Sequence, residues 1–183
     1  MNVEEIQLPP SALAEDLFTF ADSVTVEPQA PSAAPTRIET WVTFALAGET
    51  FALPVSSVLE ILRVAGITRV PHAPRVVRGV TNMRGKVLPV VDLRVRLGIE
   101  AAEIMPQSRI LVAASRGRLL GLLVDAVRQV DRIDRIAVQP PPPDVMTAQS
   151  DYIIGVSQLG ERLVILLDVD LVLVVHEAQG ERP

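Results

Sequence analysis

Two stretches of this 183-residue chain repeat one another, and that duplication limits the folds open to it. Displaced by 69 positions, "WVTFALAGETFALPVSSVLEI" (41–61) lies over "ILVAASRGRLLGLLVDAVRQV" (110–130). Gly48 then meets Gly117, Val55 meets Val124, Val58 meets Val127 and Ile61 meets Val130. Displaced by 76, "RGVTNMRGKVLPVVDLRVRL" (78–97) lies over "IGVSQLGERLVILLDVDLVL" (154–173). Gly79 meets Gly155, Val80 meets Val156, Val90 meets Leu166, Asp92 meets Asp168 and Leu97 meets Leu173. The difference of seven residues is assigned to the proline run "QPPPPDVMTAQS" (139–150), because loops tolerate insertion. Two similar units follow, 41–97 and 110–173, joined by "GIEAAEIMPQS". Two copies of so long a period do not imply a stacked solenoid.

Within a unit the signals are those of short strands. "WVTFALAGETFALPV" reads as two strands around a turn containing Gly48, and "GITRVP" and "VVRGVTNMRG" as further short β segments. "KVLPVVDL" is nearly all apolar and reads as a strand covered on both sides. Pro54 suits a first helical residue, and Val55, Val58, Leu59 and Leu62 follow at helical spacing, which predicts a helix over 54–63. Asp92 is expected to cap a brief turn, "LRVRL", that stops at Gly98. About five short strands per unit cannot bury a flat sheet. Curling each unit into a small barrel hides its apolar face and limits exposed edges. The expected fold is all-β: two small five-stranded barrels packed together, with short helices and a disordered N-terminal tail.

Apolar residues make up 49% of the chain, enough for a substantial core, but aromatics only 3%, so aliphatic side chains must fill it. No apolar run reaches a membrane span; the longest, "LVILLDVDLVLVV" (163–175), is broken by Asp168 and Asp170. The acidic N-terminus does not read as a signal peptide, and the absence of cysteine excludes disulfides, so a cytoplasmic location is expected. Net charge is −5, but residues 1–36 hold six acids and no base, so the acidity belongs to the tail. Residues 1–37 read as an acidic, proline-containing tail and linker, and 38–183 as the folded body. In the tail, Leu13, Leu17 and Phe20 could line a short partner-docking helix, although the flanking composition favours disorder. Residues 60–100 carry eight bases against three acids, a local basic face or a solvated rim.

Catalytic chemistry finds little support. His72 and His176 have no paired-ligand spacing, and "VPHAP" reads as a loop around His72. Asp92 and Asp168 occupy equivalent positions before short turns, which helix capping explains without an acid–base pair. "MRGKVL" and "SRGRLL" lack the spacing of a phosphate loop. The alternative is a nucleic-acid-binding barrel using the arginine-rich 75–96 region: Arg75, Arg78, Arg84, Lys86, Arg94 and Arg96. Against it, residues 52–151 contain no Phe, Tyr or Trp to stack on bases.

The stretch "RGVTNMRGKVLPVVDLRVRLG" (78–98) resembles the signature of the CheW family, adaptor proteins of bacterial chemosensory arrays. It matches at Gly79, Val80, Asn82, Met83, Arg84, Gly85, Leu88, Pro89, Val90, Val91, Asp92, Leu93 and Arg94. "FALPVSSVLEI" (51–61), "LLGLLVDAVRQV" (119–130) and "DYIIGVSQLGERLVILLDVDLVL" (151–173) are similar to the family too, so the likeness covers about 40–175. The resemblance implies two five-stranded barrels like SH3 domains, with no catalytic activity, cofactor or metal. It implies coupling of the cytoplasmic tip of a chemoreceptor (a methyl-accepting chemotaxis protein) to the regulatory domain of a CheA-type histidine kinase. It also implies a cytoplasmic place at membrane-associated arrays, without membrane insertion or nucleic acid. By position, Arg84, Gly79, Val58 and Ile110 correspond to receptor-facing residues, and Val55, Glu60 and Ile61 to a kinase-facing patch. Apolar periodicity leaves a plain core role open for Val58 and Ile110, and a turn role for Gly79. The tail is a departure from the usually compact family N-terminus.

Overall fold

The computed structural model describes residues 38–115, 117–141 and 151–174. The N-terminal segment with its predicted helix, His176 and most of the proline run lie outside these residues. The strands in chain order are β1 (Ile38–Leu46), β2 (Glu49–Pro54), β3 (Val58–Arg63), β4 (Val77–Met83) and β5 (Lys86–Asp92). They continue with β6 (Arg109–Ser115), β7 (Arg118–Val124), β8 (Ala126–Asp134), β9 (Ile153–Leu159) and β10 (Arg162–Leu167). Two single-turn helices, α1 (Leu93–Arg96) and α2 (Val169–Val172), follow β5 and β10. The molecule is thus all-β with short helices, two five-stranded barrels packed together.

The barrels are not the repeats. One sheet has the order β8-β1-β2-β10-β9 and the other β3-β6-β7-β5-β4. The expectation that 41–97 and 110–173 each curl into their own barrel is therefore corrected. Each barrel takes the first hairpin of one repeat and the last three strands of the other. The chain crosses between barrels at two equivalent points, the 3₁₀ turn Val55–Ser57 after β2 and the single residue Asp125 after β7. A connection that short carries the next strand away from the hairpin just formed. The hairpin then completes its sheet with the other repeat, through the parallel pairs β2–β10 and β5–β7.

Register confirms the duplication residue by residue. Val58 faces Ala113 and Glu60 faces Val112, with a bulge between; Val127 faces Phe44 and Gln129 faces Thr43, with a bulge at the same place. Val90 pairs with Gly121 as Leu166 pairs with Ala52. Each barrel is drawn shut by one isolated bridge, Thr68 with Val80 and Gln139 with Val156. Closure requires the backbones to meet closely, and this explains Gly79 and Gly155. A Cβ on Gly79 would stand 2.3 Å from the Thr68 carbonyl oxygen, and one on Gly155 2.7 Å from that of Gln139.

The helix predicted over 54–63 is replaced by one 3₁₀ turn and β3. Its periodic residues include the β-branched Val55 and Val58, and pairing with β6 satisfies the backbone and overrides the local pattern. The two caps do form. Asp92 Oδ1 accepts from the amides of Arg94 and Val95, and Asp168 Oδ1 from those of Asp170 and Leu171.

Among the described residues, burial occurs in three clusters. Trp41, Ile133 and Leu166 lie among those filling one barrel, and Leu88, Val90 and Ile110 among those filling the other. The largest cluster joins the barrels, with Phe44 and Leu53 of one sheet packed with Leu111, Leu122 and Val91 of the other. Polar contacts reinforce this junction. Arg94 binds Asp125 through two bonds of 2.7 and 2.5 Å, and Asp125 also accepts the Ala47 amide at 2.8 Å. Arg96 donates to the carbonyls of Val172 and Leu171 and lies over the Tyr152 ring, whose hydroxyl donates to the Leu97 carbonyl.

Candidate protein-binding surface

The β4–β5 connection is a two-residue turn, with Met83 facing Lys86 across it. Both central residues have positive φ, 50° at Arg84 and 81° at Gly85, as hairpin twist favours. Asn82 Oδ1 accepts the Gly85 amide at 2.8 Å and fixes the turn. The sequence Asn-Met-Arg-Gly is thus a small machine for holding an arginine at a hairpin tip. The Arg84 side chain is 80% exposed and donates to Glu60 Oε1 at 2.9 Å.

The duplication serves as an internal control here. The position equivalent to Arg84 is Gly160, at φ 62°, and that equivalent to Glu60 is Gln129. The fold is content with glycine in that turn, because only glycine adopts the left-handed region without cost. Arginine at φ 50° departs from the residue the backbone favours, and the pair it forms with Glu60 has no counterpart in the second half.

The other expected site residues divide by depth. Ile110 is 1% exposed inside a barrel, so its side chain is core, matching Trp41 at the equivalent position. Gly79 is buried at the closing bridge and serves that approach. Val58 and Val55 are half-buried against the central cluster. Ile61 lies exposed on β3, and Glu60 is tied to Arg84, so the residues expected at two separate surfaces meet at one place. Sequence reasoning missed Leu59, 63% exposed on β3, and Val87, 72% exposed at the start of β5. The repeat held a signal for Val87, whose equivalent Leu163 is also apolar and exposed, as Val130 is at the equivalent of Ile61; it held none for Leu59, whose equivalent is Arg128.

The arginine-rich region is not a continuous cationic stripe. Arg94 is held by Asp125, Arg96 by helix carbonyls, Arg84 by Glu60, and Arg78 Nη1 lies 3.7 Å from Asp92 Oδ2. Arg78, Arg84 and Arg94 would each have to give up an internal carboxylate to bind a phosphate backbone, which weakens the nucleic-acid reading. The Asp125 carboxyl, which burial alone would raise, is held below its ordinary range by Arg94 and the Ala47 amide, and Arg94 is raised by the same contact. Burial raises the Tyr152 hydroxyl, against the opposing charge of Arg96. Among the described residues, no cluster of His, Asp and Glu could hold a metal ion, and no helix is long and apolar enough to cross a membrane.

An all-β body of two strand-exchanged barrels, with its distinctive side chains on an exposed strand and a hairpin tip, defines a scaffold that acts through protein contacts. Residues 40–177 match the family model described as "CheW-like domain", and the chain belongs to that family of non-catalytic chemotaxis scaffold proteins. It is 35% identical over 139 residues to the chemotaxis protein CheW of Rhizobium meliloti, covering 76% of this chain and 90% of that one. It is 31% identical over 133 residues to CheW of Helicobacter pylori, covering 73% and 80%. The crystal structure of the scaffolding protein TtCheW from Thermoanaerobacter tengcongensis superposes with a TM-score of 0.69 at 33% identity, over 75% of this chain and 89% of that one.

Proposed function

We propose that this chain couples the cytoplasmic tip of a chemoreceptor to the regulatory domain of a CheA-type histidine kinase, at receptor arrays on the cytoplasmic side of the membrane. The observation that carries the reading is Arg84: an exposed guanidinium at a turn position where the equivalent half of the same molecule has glycine. A guanidinium offers a planar fork of donors to a carboxylate on a partner, and Glu60 holds it in place until that partner arrives. Successive residues of a strand face opposite ways. Glu60 with Arg84 therefore forms a polar contact for the receptor's helical hairpin, and Leu59 and Ile61 form an apolar one for the kinase domain. One strand then touches both partners, so a shift of either is felt by the other. Each contact is small, and clustering in an array multiplies weak contacts through effective concentration.

The test is binding of the purified chain to a receptor-tip fragment and to the kinase regulatory domain, measured separately. Arg84→Glu places two carboxylates side by side and is expected to weaken receptor-tip binding about tenfold or more, leaving kinase binding intact. Ile61→Glu is expected to do the reverse. Loss of neither interaction in either variant would overturn the assignment.

A further inference from the structure

At the end of the barrel that contains β4 lies an open cavity of ≈ 680 Å³, bounded by the segment after β3, the start of β4, α1 and the loop leading to β6. Arg69, Arg75 and Arg78 line it, with apolar walls from Ile67, Val77 and Ile104. A second hollow of ≈ 480 Å³ also has Arg69 and Arg75 in its lining, so the two hollows adjoin at these residues. Among the described residues neither Arg69 nor Arg75 has an ion-pair or hydrogen-bond partner, whereas Arg78 is partly neutralised by Asp92. We infer that this cavity is a binding site for a small phosphate-bearing anion.

The repeat again separates what the fold needs from what it does not. The structural residues recur: Gly79 with Gly155 and Asp92 with Asp168. The arginines do not. Arg75 is matched by Asp151 and Arg78 by Ile154 in the second half, which builds the same barrel without them. Three cations converge on one cavity, and two of them, Arg75 and Arg78, stand where the architecture accepts an acid or an apolar residue.

The arginines are also held ready. Arg69 and Arg75 bracket the loop "VPHAP", which is stiffened by Pro71 and Pro74 and turned at His72 with φ 58°. The Val77 amide donates to the Pro74 carbonyl at 2.8 Å, and that of Ala73 to Val70 at 3.4 Å. Fixing the loop beforehand lowers the entropy lost on binding. The volume lies in the range of small-molecule pockets. Arginine forks suit phosphate oxygens, which they can grip through paired donors. The Asp92 carboxylate at the cavity wall is engaged by the α1 amides and by Arg78, which leaves Arg69 and Arg75 as the unpaired cations of the lining. No aromatic side chain occurs anywhere between residues 52 and 151, so a base would find nothing to stack on. The phosphate groups carry recognition, and the rest of the ligand meets aliphatic walls.

Titration calorimetry of the full chain with inorganic pyrophosphate tests this directly. Saturable one-to-one binding is expected with a Kd of about 1 mM or below at roughly 0.15 M salt. The pair Arg69→Ala and Arg75→Asp, the second installing the residue of the equivalent half, is expected to weaken it about tenfold or more. Thermal melting checks that this variant is folded, and the exposed single change Arg69→Ala must weaken binding in the same direction. A control pair on other strands, Arg118→Ala with Arg162→Ala, is expected to leave it unchanged. No saturation by about 10 mM, or equal loss in the control pair, would overturn the site. So would binding seen only with oligonucleotides and growing with their length, which would indicate a nucleic-acid surface instead.

Discussion

At position 84 the backbone adopts φ 50°, and the second half of the chain meets the same geometry with Gly160. That contrast makes a prediction about trade-off. Arg84→Gly is expected to leave thermal stability unchanged or raised by about 1 kcal/mol or less, while weakening receptor-tip binding; a melting curve and a binding isotherm read the two effects. The opposite sensitivity is expected at the closing bridges. Gly79→Ala and Gly155→Ala force a Cβ into a backbone carbonyl, and each should cost about 2–3 kcal/mol, seen as a lower denaturation midpoint. Gly85→Ala, with open space around its Cβ but a φ of 81°, should cost about 1 kcal/mol. Local chemistry made some residues readable from sequence. Asp92 and Asp168 precede short turns at equivalent positions, and both cap them as expected. Ile110 was not readable in this way: an apolar residue in a strand shows its period but not which face is covered, and its place in the barrel interior depends on strands distant in sequence.

Among elements, the strands around tight turns were legible because glycine and alternating apolar residues mark them locally, as at 41–54 and 77–92. The segment 54–63 was not, since its spacing of apolar residues suits a helix until β6 offers a strand partner. The contact between α1 and the β7–β8 crossing, Arg94 with Asp125, carries a pH dependence with a definite sign. The Asp125 carboxyl is depressed in the folded state, so its contribution is present above the ordinary carboxylate range and is lost as pH falls through the folded value. Arg94 stays charged throughout. Asp125→Asn is expected to lower stability at neutral pH by about 1–2 kcal/mol, a modest figure because both side chains are partly exposed. The same variant should show a flatter loss of stability on acidification. Urea midpoints measured from neutral to acidic pH for both proteins check the size and the sign, and parallel curves would remove Asp125 from the account.

Across the whole molecule, the sequence revealed the duplication and about five strands per unit, although the segment "GITRVP" expected as a strand forms only the bridge at Thr68 and β3 takes its place in the count; the exchange of hairpins was not legible. Matching residues identify equivalent strands, yet the same matches hold whether each repeat closes on itself or on its neighbour. Only the two short crossings, at Val55–Ser57 and Asp125, decide between them. One consequence is cooperativity. Neither barrel is encoded by a continuous half of the chain, and the central cluster draws on both, so unfolding should be a single transition with equal calorimetric and van't Hoff enthalpies. A second consequence is functional: the two barrels offer similar apolar positions, Ile61 and Val87 on one and Val130 and Leu163 on the other, while only the first carries Arg84 with Glu60. One polar tip therefore distinguishes two near-equivalent bodies. The direct test is the amount of CheA-type kinase that the chain recruits to clustered receptor tips, with wild type compared against Arg84→Glu. Recruitment by wild type and a loss of about tenfold or more in the variant, at an unchanged melting temperature, is the result expected. Equal recruitment by both proteins, or none by wild type, would contradict it.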